Sequence, residues 1–209
     1  MGETVRKFRK VFNFQDPDAK GRCCVLIFKV VEGFLTYITT GIFYTEFLRC
    51  YGMDSVAAGV LSFIPYIASM LVLFTPALLN RFPRRKWILA VCKFMYYFVV
   101  LVGLNLLPYM VTDDRGRLWG MIIITFLASL FNVVATAGYA AWHIRFQPEE
   151  IRAYFLSVCL FLTALVSGVF TLASGLITDL LQKQMSQEAE LTFLVFLRYF
   201  AFALGVVNV

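Results

Sequence analysis

The residues of this chain that could do chemistry are polar side chains inside long apolar runs. In one run Lys29, Glu32 and Thr36 recur at helical spacing, followed by Thr39 or Thr40. In another, six polar residues recur at intervals of four, three, four, three and four: Thr125, Ser129, Asn132, Thr136, Tyr139 and His143. Such intervals place each set on one face of a helix. We predict that these two polar stripes face a common interior space, because lipid tolerates polar groups poorly.

Glu32 is the carboxylate on which the chemistry of the first stripe depends. It lies nine residues after Cys23, about 13 Å along a helix and close to the midplane of a hydrocarbon core about 30 Å thick. Lys29 is one turn away, so Glu32 is interpreted either as half of a local ion pair or as a proton-coupling carboxylate. Lys29 and Lys93 lie nearer the side of the membrane that carries the N-terminal tail, and each is expected to extend its ammonium group to that surface. Arg198 either reaches the opposite surface or takes an inward substrate or ion-pair role.

The elements that must position these residues are predicted to be membrane-spanning helices. Of the 209 residues, 60% are hydrophobic and 15% are charged, whereas soluble domains are about half apolar and a quarter charged. A helix needs about 20 mostly apolar residues to cross a bilayer, and the runs are too long for barrel strands. Six runs fit such spans: 23–48, 55–79, 87–110, 118–144, 153–180 and 191–209.

These runs predict an all-α membrane protein of six transmembrane helices, arranged as two inverted three-helix repeats. Residues 1–22 are predicted to be a cytoplasmic N-terminal tail, and residues 23–209 the transmembrane domain. The two polar stripes then lie on the first and fourth spans, which open the two repeats. The last run ends with the chain and has no polar tail after it, so we expect the domain to be truncated at its C-terminal end.

The basic residues predict the orientation in the cell membrane. The N-terminal tail and the second and fourth connectors hold twelve Lys and Arg, whereas the connectors on the other side hold four. Cytoplasmic loops carry the excess of Lys and Arg, so the N-terminus is predicted to be cytoplasmic. This distribution also explains the net charge of +6, and we expect no nucleic-acid partner.

The connector after the second span carries the most specific motif. Residues 76–86 read Pro-Ala-Leu-Leu-Asn-Arg-Phe-Pro-Arg-Arg-Lys. They resemble the loop motif of the major facilitator superfamily, Gly-x-Leu-x-Asp-Arg-x-Gly-Arg-Arg/Lys, which lies between the second and third spans. The matching residues are Leu78, Arg81, Arg84 and Arg85. Prolines replace the glycines, and Asn80 replaces the aspartate that helps to latch neighbouring helices in that family. A simple cluster of positive charge on the cytoplasmic side is the alternative interpretation.

The start of the fifth span carries a second resemblance. Residues 147–157 are similar to this region in many bacterial members of the superfamily. Pro148 suits the first helical turn, and Glu149 and Glu150 suit the positive end of the helix dipole, so a well-capped helix start is an equal interpretation. Small residues further along the span, namely Ser167, Gly168, Ser174 and Gly175, are expected to allow close helix packing.

The resemblance implies the N-terminal half of a secondary transporter that moves a small solute by alternating access, with proton coupling as an option. The expected substrate or ion pathway comprises Glu32, Lys29, Thr36, Asn132, Thr136 and Arg198. The expected loop motif comprises Asn80, Arg81, Arg84 and Arg85. A second six-helix half, from the same gene or a second copy, is expected to cover the polar stripes within the bilayer.

Two other functions are kept as alternatives. A non-transporting membrane scaffold would pack through small residues, but the two polar stripes disfavour a uniformly apolar interior. A membrane-embedded enzyme has less support, because the sequence contains neither His-Glu-x-x-His nor Gly-x-Ser-x-Gly. No catalytic residue, metal or cofactor is therefore predicted.

Overall fold

The structure, a computed structural model, describes residues 19–82, 84–144, 147, 149–184 and 187–209. Within these ranges the chain is helical apart from short connectors, and it contains no strand. Six helical segments are long and apolar enough to cross a membrane, and they are numbered here as the first to sixth spans: Ala19–Cys50, Ser55–Asn80, Arg85–Met110, Asp114–His143, Glu149–Thr178 and Glu188–Val207. The predicted all-α class with six membrane-spanning helices is confirmed.

Three of the spans contain an interruption. The first is helical over Ala19–Thr40 and Ile42–Cys50. The second runs through Ser55–Ser69, a 3-10 segment at Met70–Phe74, and Thr75–Asn80. The third runs through Arg85–Tyr97, a π-helical segment at Phe98–Gly103, and Leu104–Met110. The remaining helices are Asp114–His143, Glu149–Gln184 and Gln187–Val207.

Five of the six spans begin a few residues before the apolar run that predicted them, and in the fourth span a polar side chain that caps the first turn explains the earlier start. The carboxylate of Asp113 accepts a hydrogen bond from the Gly116 amide at 2.8 Å, so the fourth span starts at Asp114 rather than residue 118. Two glutamates occupy the first turn of the fifth span, as predicted. The described part of the first span starts with helix at Ala19, so the last four residues of the predicted tail are helical.

The spans pack in a pattern that repeats when the first three are exchanged for the last three. The first span packs against the fifth and sixth, the fourth packs against the second and third, and the third packs against the sixth. If the first, second and third spans change places with the fourth, fifth and sixth, in that order, the first–fifth contact becomes the fourth–second contact. The first–sixth contact likewise becomes the fourth–third contact. Because each half has an odd number of spans, the two halves enter the membrane from opposite sides. The packing therefore agrees with the predicted inverted repeats.

The close approach between the first and fifth spans depends on Gly33 rather than on the glycines of the fifth span. A Cβ atom at Gly33 would lie 2.7 Å from Cγ2 of Thr163, whereas nothing lies within 4 Å of a Cβ built at Gly168 or Gly175. The predicted packing through small residues is confirmed for the serines, since Ser167 Oγ would lie 3.7 Å from a Cβ atom at Gly33 and Ser174 is buried against Tyr37. It is wrong for Gly168 and Gly175. The face of the fifth span that meets the first carries Thr163 instead, so the glycines point away from the bundle.

Candidate functional site

The two polar stripes meet around one cavity. The cavity has a volume of about 810 Å³ and lies between the first, fourth and fifth spans. Its polar lining from the first and fourth spans comprises Lys29, Glu32, Thr36, Thr40, Asn132, Thr136 and His143. The fifth span contributes an apolar wall that includes Phe155, Leu156 and Leu160. Five of the six predicted pathway residues therefore surround one space, and only Arg198 does not.

A second, smaller cavity continues the fourth-span stripe toward the opposite side of the bundle. It has a volume of about 320 Å³, and its lining includes Tyr44, Thr125 and Ser129. Both cavities are lined by Thr36, Thr40 and Asn132. The larger cavity extends from these residues toward the N-terminal end of the first span, and the smaller cavity extends toward the other end. The shared residues thus lie between two spaces on opposite sides of the bundle.

Glu32 is the centre of an ion cluster at the wall of the larger cavity. Its Oε1 atom lies 2.7 Å from Nζ of Lys93, and its Oε2 atom lies 3.0 Å from Nζ of Lys29. Lys93 also donates a hydrogen bond to Oδ1 of Asn132 at 3.1 Å, and the Thr136 hydroxyl donates to the same oxygen at 3.3 Å. The cluster therefore joins the first, third and fourth spans through charge-assisted hydrogen bonds.

The prediction that Lys93 snorkels to the membrane surface is wrong. Its side chain is 2% exposed, and its ammonium group lies 5.3 Å and 5.2 Å from the ring centroids of Tyr96 and Tyr97. The third span packs against the fourth, which turns Lys93 into the bundle toward Asn132. Its carboxylate partner is 61 residues away in sequence, so helical spacing within one run could not identify it.

The two lysines differ in how firmly they are held. Lys93 is buried between two acceptors, Glu32 and Asn132. The Lys29 side chain is 33% exposed, and among the described residues its ammonium group is paired with Glu32. A buried charge is costly unless it is paired and hydrogen-bonded, so the Lys93–Glu32 contact is the fixed part of the cluster. Lys29 is the cation that faces the cavity. The predicted Lys29–Glu32 pair is present, and it is one part of this larger cluster.

Arg198 lies in a separate buried site between the sixth and third spans. Its Nε atom donates to Oδ1 of Asn105 at 2.7 Å, and its Nη2 atom donates to the Val100 carbonyl at 2.5 Å. The guanidinium carbon is 4.2 Å from the centroid of the Phe47 ring. Because the residue is only 2% exposed, the expectation that it reaches the outer surface is wrong. Val100 belongs to the π-helical segment, so Arg198 fastens the sixth span to the irregular turn of the third.

The loop motif residues form a hydrogen bond across the second connector. Oδ1 of Asn80, at the end of the second span, accepts from Nη2 of Arg85 at 3.0 Å. All four motif residues, Asn80, Arg81, Arg84 and Arg85, are exposed. Asn80 thus ties the ends of two spans together without the ion pair that an aspartate would form. Pro76 lies in the first turn of the helical segment Thr75–Asn80, whereas Pro83 and Pro148 lie outside the described residues.

The resemblance to the major facilitator superfamily rests on this connector, on the start of the fifth span and on the six-span topology. Within that topology the first, fourth and fifth spans line a polar cavity. Over the described residues the chain is a bundle of six apolar helices, each long and apolar enough to cross a membrane. Comparisons of the chain with protein-family models, with curated proteins and with solved structures find no match.

Proposed function

We propose that this chain is the N-terminal six-helix half of a secondary transporter of the major facilitator type, which moves a small solute by alternating access. The observation that carries this proposal is the pair of cavities on opposite sides of the bundle that share Thr36, Thr40 and Asn132. A site near the bilayer midplane, reached from one side at a time, is what alternating access requires.

The ion cluster supports transport over a scaffold role. Charged residues within a membrane are costly, and they are usually retained where they bind a solute or an ion. A scaffold would bury its polar residues in helix contacts, whereas Lys29, Glu32 and Thr136 line open space in this bundle. We propose no enzymatic reaction for this cavity, which combines the Glu32 ion pair and several hydroxyl groups with an apolar wall.

The complete transporter includes a second six-helix half in this proposal. The described residues that line the larger cavity belong to three spans and the fourth connector, and Thr36, Thr136 and Ala140 among them are exposed. A second half, from the same gene or a second copy, would close this open side within the bilayer. The proposed orientation has the N-terminus in the cytoplasm, as the distribution of Lys and Arg predicts.

A cysteine accessibility experiment in sealed vesicles tests this function. Thr36→Cys is introduced after the five native cysteines, none of which forms a disulfide, have been replaced by serine or alanine. A membrane-impermeant thiol reagent, added separately to each face, is expected to label Thr36→Cys from both sides. Ile123→Cys is the control, because Ile123 is 63% exposed on the apolar surface of the fourth span.

Labelling of Thr36→Cys from one side only would contradict alternating access. Labelling no faster than at Ile123→Cys would show that the cavity is closed to water and would favour the scaffold alternative.

A further inference from the structure

The ion cluster at the wall of the larger cavity carries an excess of positive charge. One carboxylate, Glu32, is shared by two ammonium groups, Lys93 through Oε1 and Lys29 through Oε2. The described residues that line the cavity include no second carboxylate. His143, which also lines it, can add positive charge but never negative charge. The cluster therefore has one more cation than anion, in a region where the low dielectric makes a net charge costly.

The excess charge is presented to the cavity by Lys29. Lys93 is nearly inaccessible and is held by Glu32 and Asn132, so it cannot turn toward a solute without losing both partners. Lys29 is the more exposed cation and lines the cavity, whereas Lys93 is not among the described residues that line it. An anion that enters the cavity can bind Lys29 while Lys93 continues to compensate Glu32. The arrangement thus separates a structural cation from a cation that is free to exchange its partner.

We propose that the larger cavity binds an organic anion from the aqueous phase, with Lys29 as the group that docks its negative charge. This inference rests on the proposed function and names the substrate class of the same site. The anion would bring the net charge of the occupied site to zero. The wall formed by Val25, Phe155 and Leu160 would contact the apolar body of the solute, and the Thr36 and Thr136 hydroxyls are available for its polar groups.

Paired thiol reagents of opposite charge test this proposal without knowledge of the natural solute. Ala140→Cys is placed in the cysteine-free background, because Ala140 is exposed and lines only the larger cavity. The labelling rates of an anionic sulfonate and a cationic trimethylammonium methanethiosulfonate are measured, and each is divided by that reagent's rate with free 2-mercaptoethanol. The anionic reagent is expected to be favoured on the order of tenfold, since a cleft with a net charge concentrates ions of the opposite sign.

A charge series at one position sharpens the test. Lys29→Gln removes the excess charge, and Lys29→Glu reverses it, while both leave the buried Lys93–Glu32 contact in place. The preference for the anionic reagent is expected to vanish in the first variant and to invert in the second. Because the Lys29 side chain is one-third exposed, both variants are expected to fold. An anionic preference that is absent in the parent, or that does not change along the series, would overturn the proposal.

Lipid headgroups are the other source of organic anions, and a change of vesicle composition separates them from aqueous solutes. The rate ratio is measured in phosphatidylcholine vesicles with and without phosphatidylglycerol, and Phe82→Cys, in the exposed second connector on the same side as the larger cavity, corrects for the surface charge. An unchanged corrected ratio supports an aqueous solute, whereas a fall on addition of the anionic lipid would assign the cavity to a headgroup instead.

The outcomes also separate this inference from the proposed function. Equal labelling by both reagents would leave a water-filled cavity, and therefore the transporter proposal, but would remove the preference for anions. Labelling by neither reagent would mean a dry cavity and would overturn both proposals.

Discussion

Two cationic sites within the bundle satisfy their charge in different ways. In the Glu32 cluster, two lysines share a carboxylate at the wall of a cavity of about 810 Å³. At Arg198, a guanidinium without an ion pair among the described residues is held by the Asn105 amide, the Val100 carbonyl and the face of Phe47. The three cations, Lys29, Lys93 and Arg198, all have long side chains and lie in apolar runs of the sequence. Only the first site adjoins space that a solute could occupy.

The difference shows that burial of a charge within a membrane is not by itself a sign of function. Arginine can fasten one helix to another because its fork of donors reaches several neutral acceptors at once. Lysine has a compact charge, and here it depends on a carboxylate. A site that can exchange its partner needs both an adjacent cavity and a group that is not fully committed, and Lys29 meets both conditions.

The largest expected effect comes from removal of the central carboxylate. Glu32→Gln leaves the buried Lys93 ammonium without its ion pair, so we expect the free energy of unfolding to fall by about 3–5 kcal/mol. The measurement is unfolding in mixed detergent micelles by titration with a denaturing detergent. Lys93→Met is expected to cost less, because Glu32 keeps Lys29 as a partner.

The double variant Glu32→Gln with Lys93→Met is the control for this prediction. It removes both buried charges together, so it is expected to be more stable than Glu32→Gln alone. If the double variant lost as much stability as the two single variants together, the Lys93–Glu32 contact would not couple the two residues.

The second prediction tests whether Arg198 has a purely structural role. Arg198→Met removes two charge-assisted hydrogen bonds, to Asn105 and Val100, and each such bond typically contributes about 1.5–3 kcal/mol. Part of this loss is offset, because the variant avoids the cost of burying the guanidinium charge. We expect a loss of stability of about 2–3 kcal/mol, with the ratio of anionic to cationic labelling at Ala140→Cys unchanged. A changed ratio would mean that Arg198 acts on the cavity, and the distinction between the two sites would fail.

The polar stripes show how much of the site could be predicted from sequence. Periodicity in a single helix fixes which residues share a face, and the cost of polar groups in lipid then predicts that the faces carrying Glu32 and Asn132 both turn toward the interior. Periodicity carries no information about which helices become neighbours. Lys93 and Glu32 meet only because the third span packs beside the fourth, and for the same reason the buried position of Arg198 against Val100 could not be predicted.

The fold was predicted at the level of spans for a similar reason. The length of an apolar run is a direct consequence of bilayer thickness, so the six helices could be recognised without any tertiary information. The interruptions within them could not. Gly41, the 3-10 segment at Met70–Phe74 and the π-helical segment at Phe98–Gly103 depend on local backbone geometry, which average hydropathy does not report.

A third prediction concerns the wall of the cavity. Gly33→Ala places a methyl group 2.7 Å from Cγ2 of Thr163, so the first and fifth spans must shift apart or Thr163 must change rotamer. We expect a loss of about 1–3 kcal/mol, as is usual for overpacked interiors. Gly168→Ala is the matched control, because its methyl group meets open space and should be neutral or stabilising. Equal thermal unfolding midpoints for the two variants would contradict the close approach at Gly33.

The smallest expected effect lies in the exposed second connector, which gives a reference for the two buried sites. Asn80→Asp places a carboxylate where Oδ1 of Asn80 already accepts a hydrogen bond from Arg85 at 3.0 Å. An ion pair would replace the neutral hydrogen bond. Because both side chains are exposed, solvent screens this pair, and we expect a gain of less than about 1 kcal/mol. The thermal unfolding midpoint should rise slightly at low salt and return to the parent value at high salt. Asn80→Ala should lower the midpoint by a similarly small amount that salt does not alter. A gain in Asn80→Asp that persists at high salt would mean that the connector is shielded from solvent, and its ion pair would then belong with the buried contacts of Glu32 and Lys93.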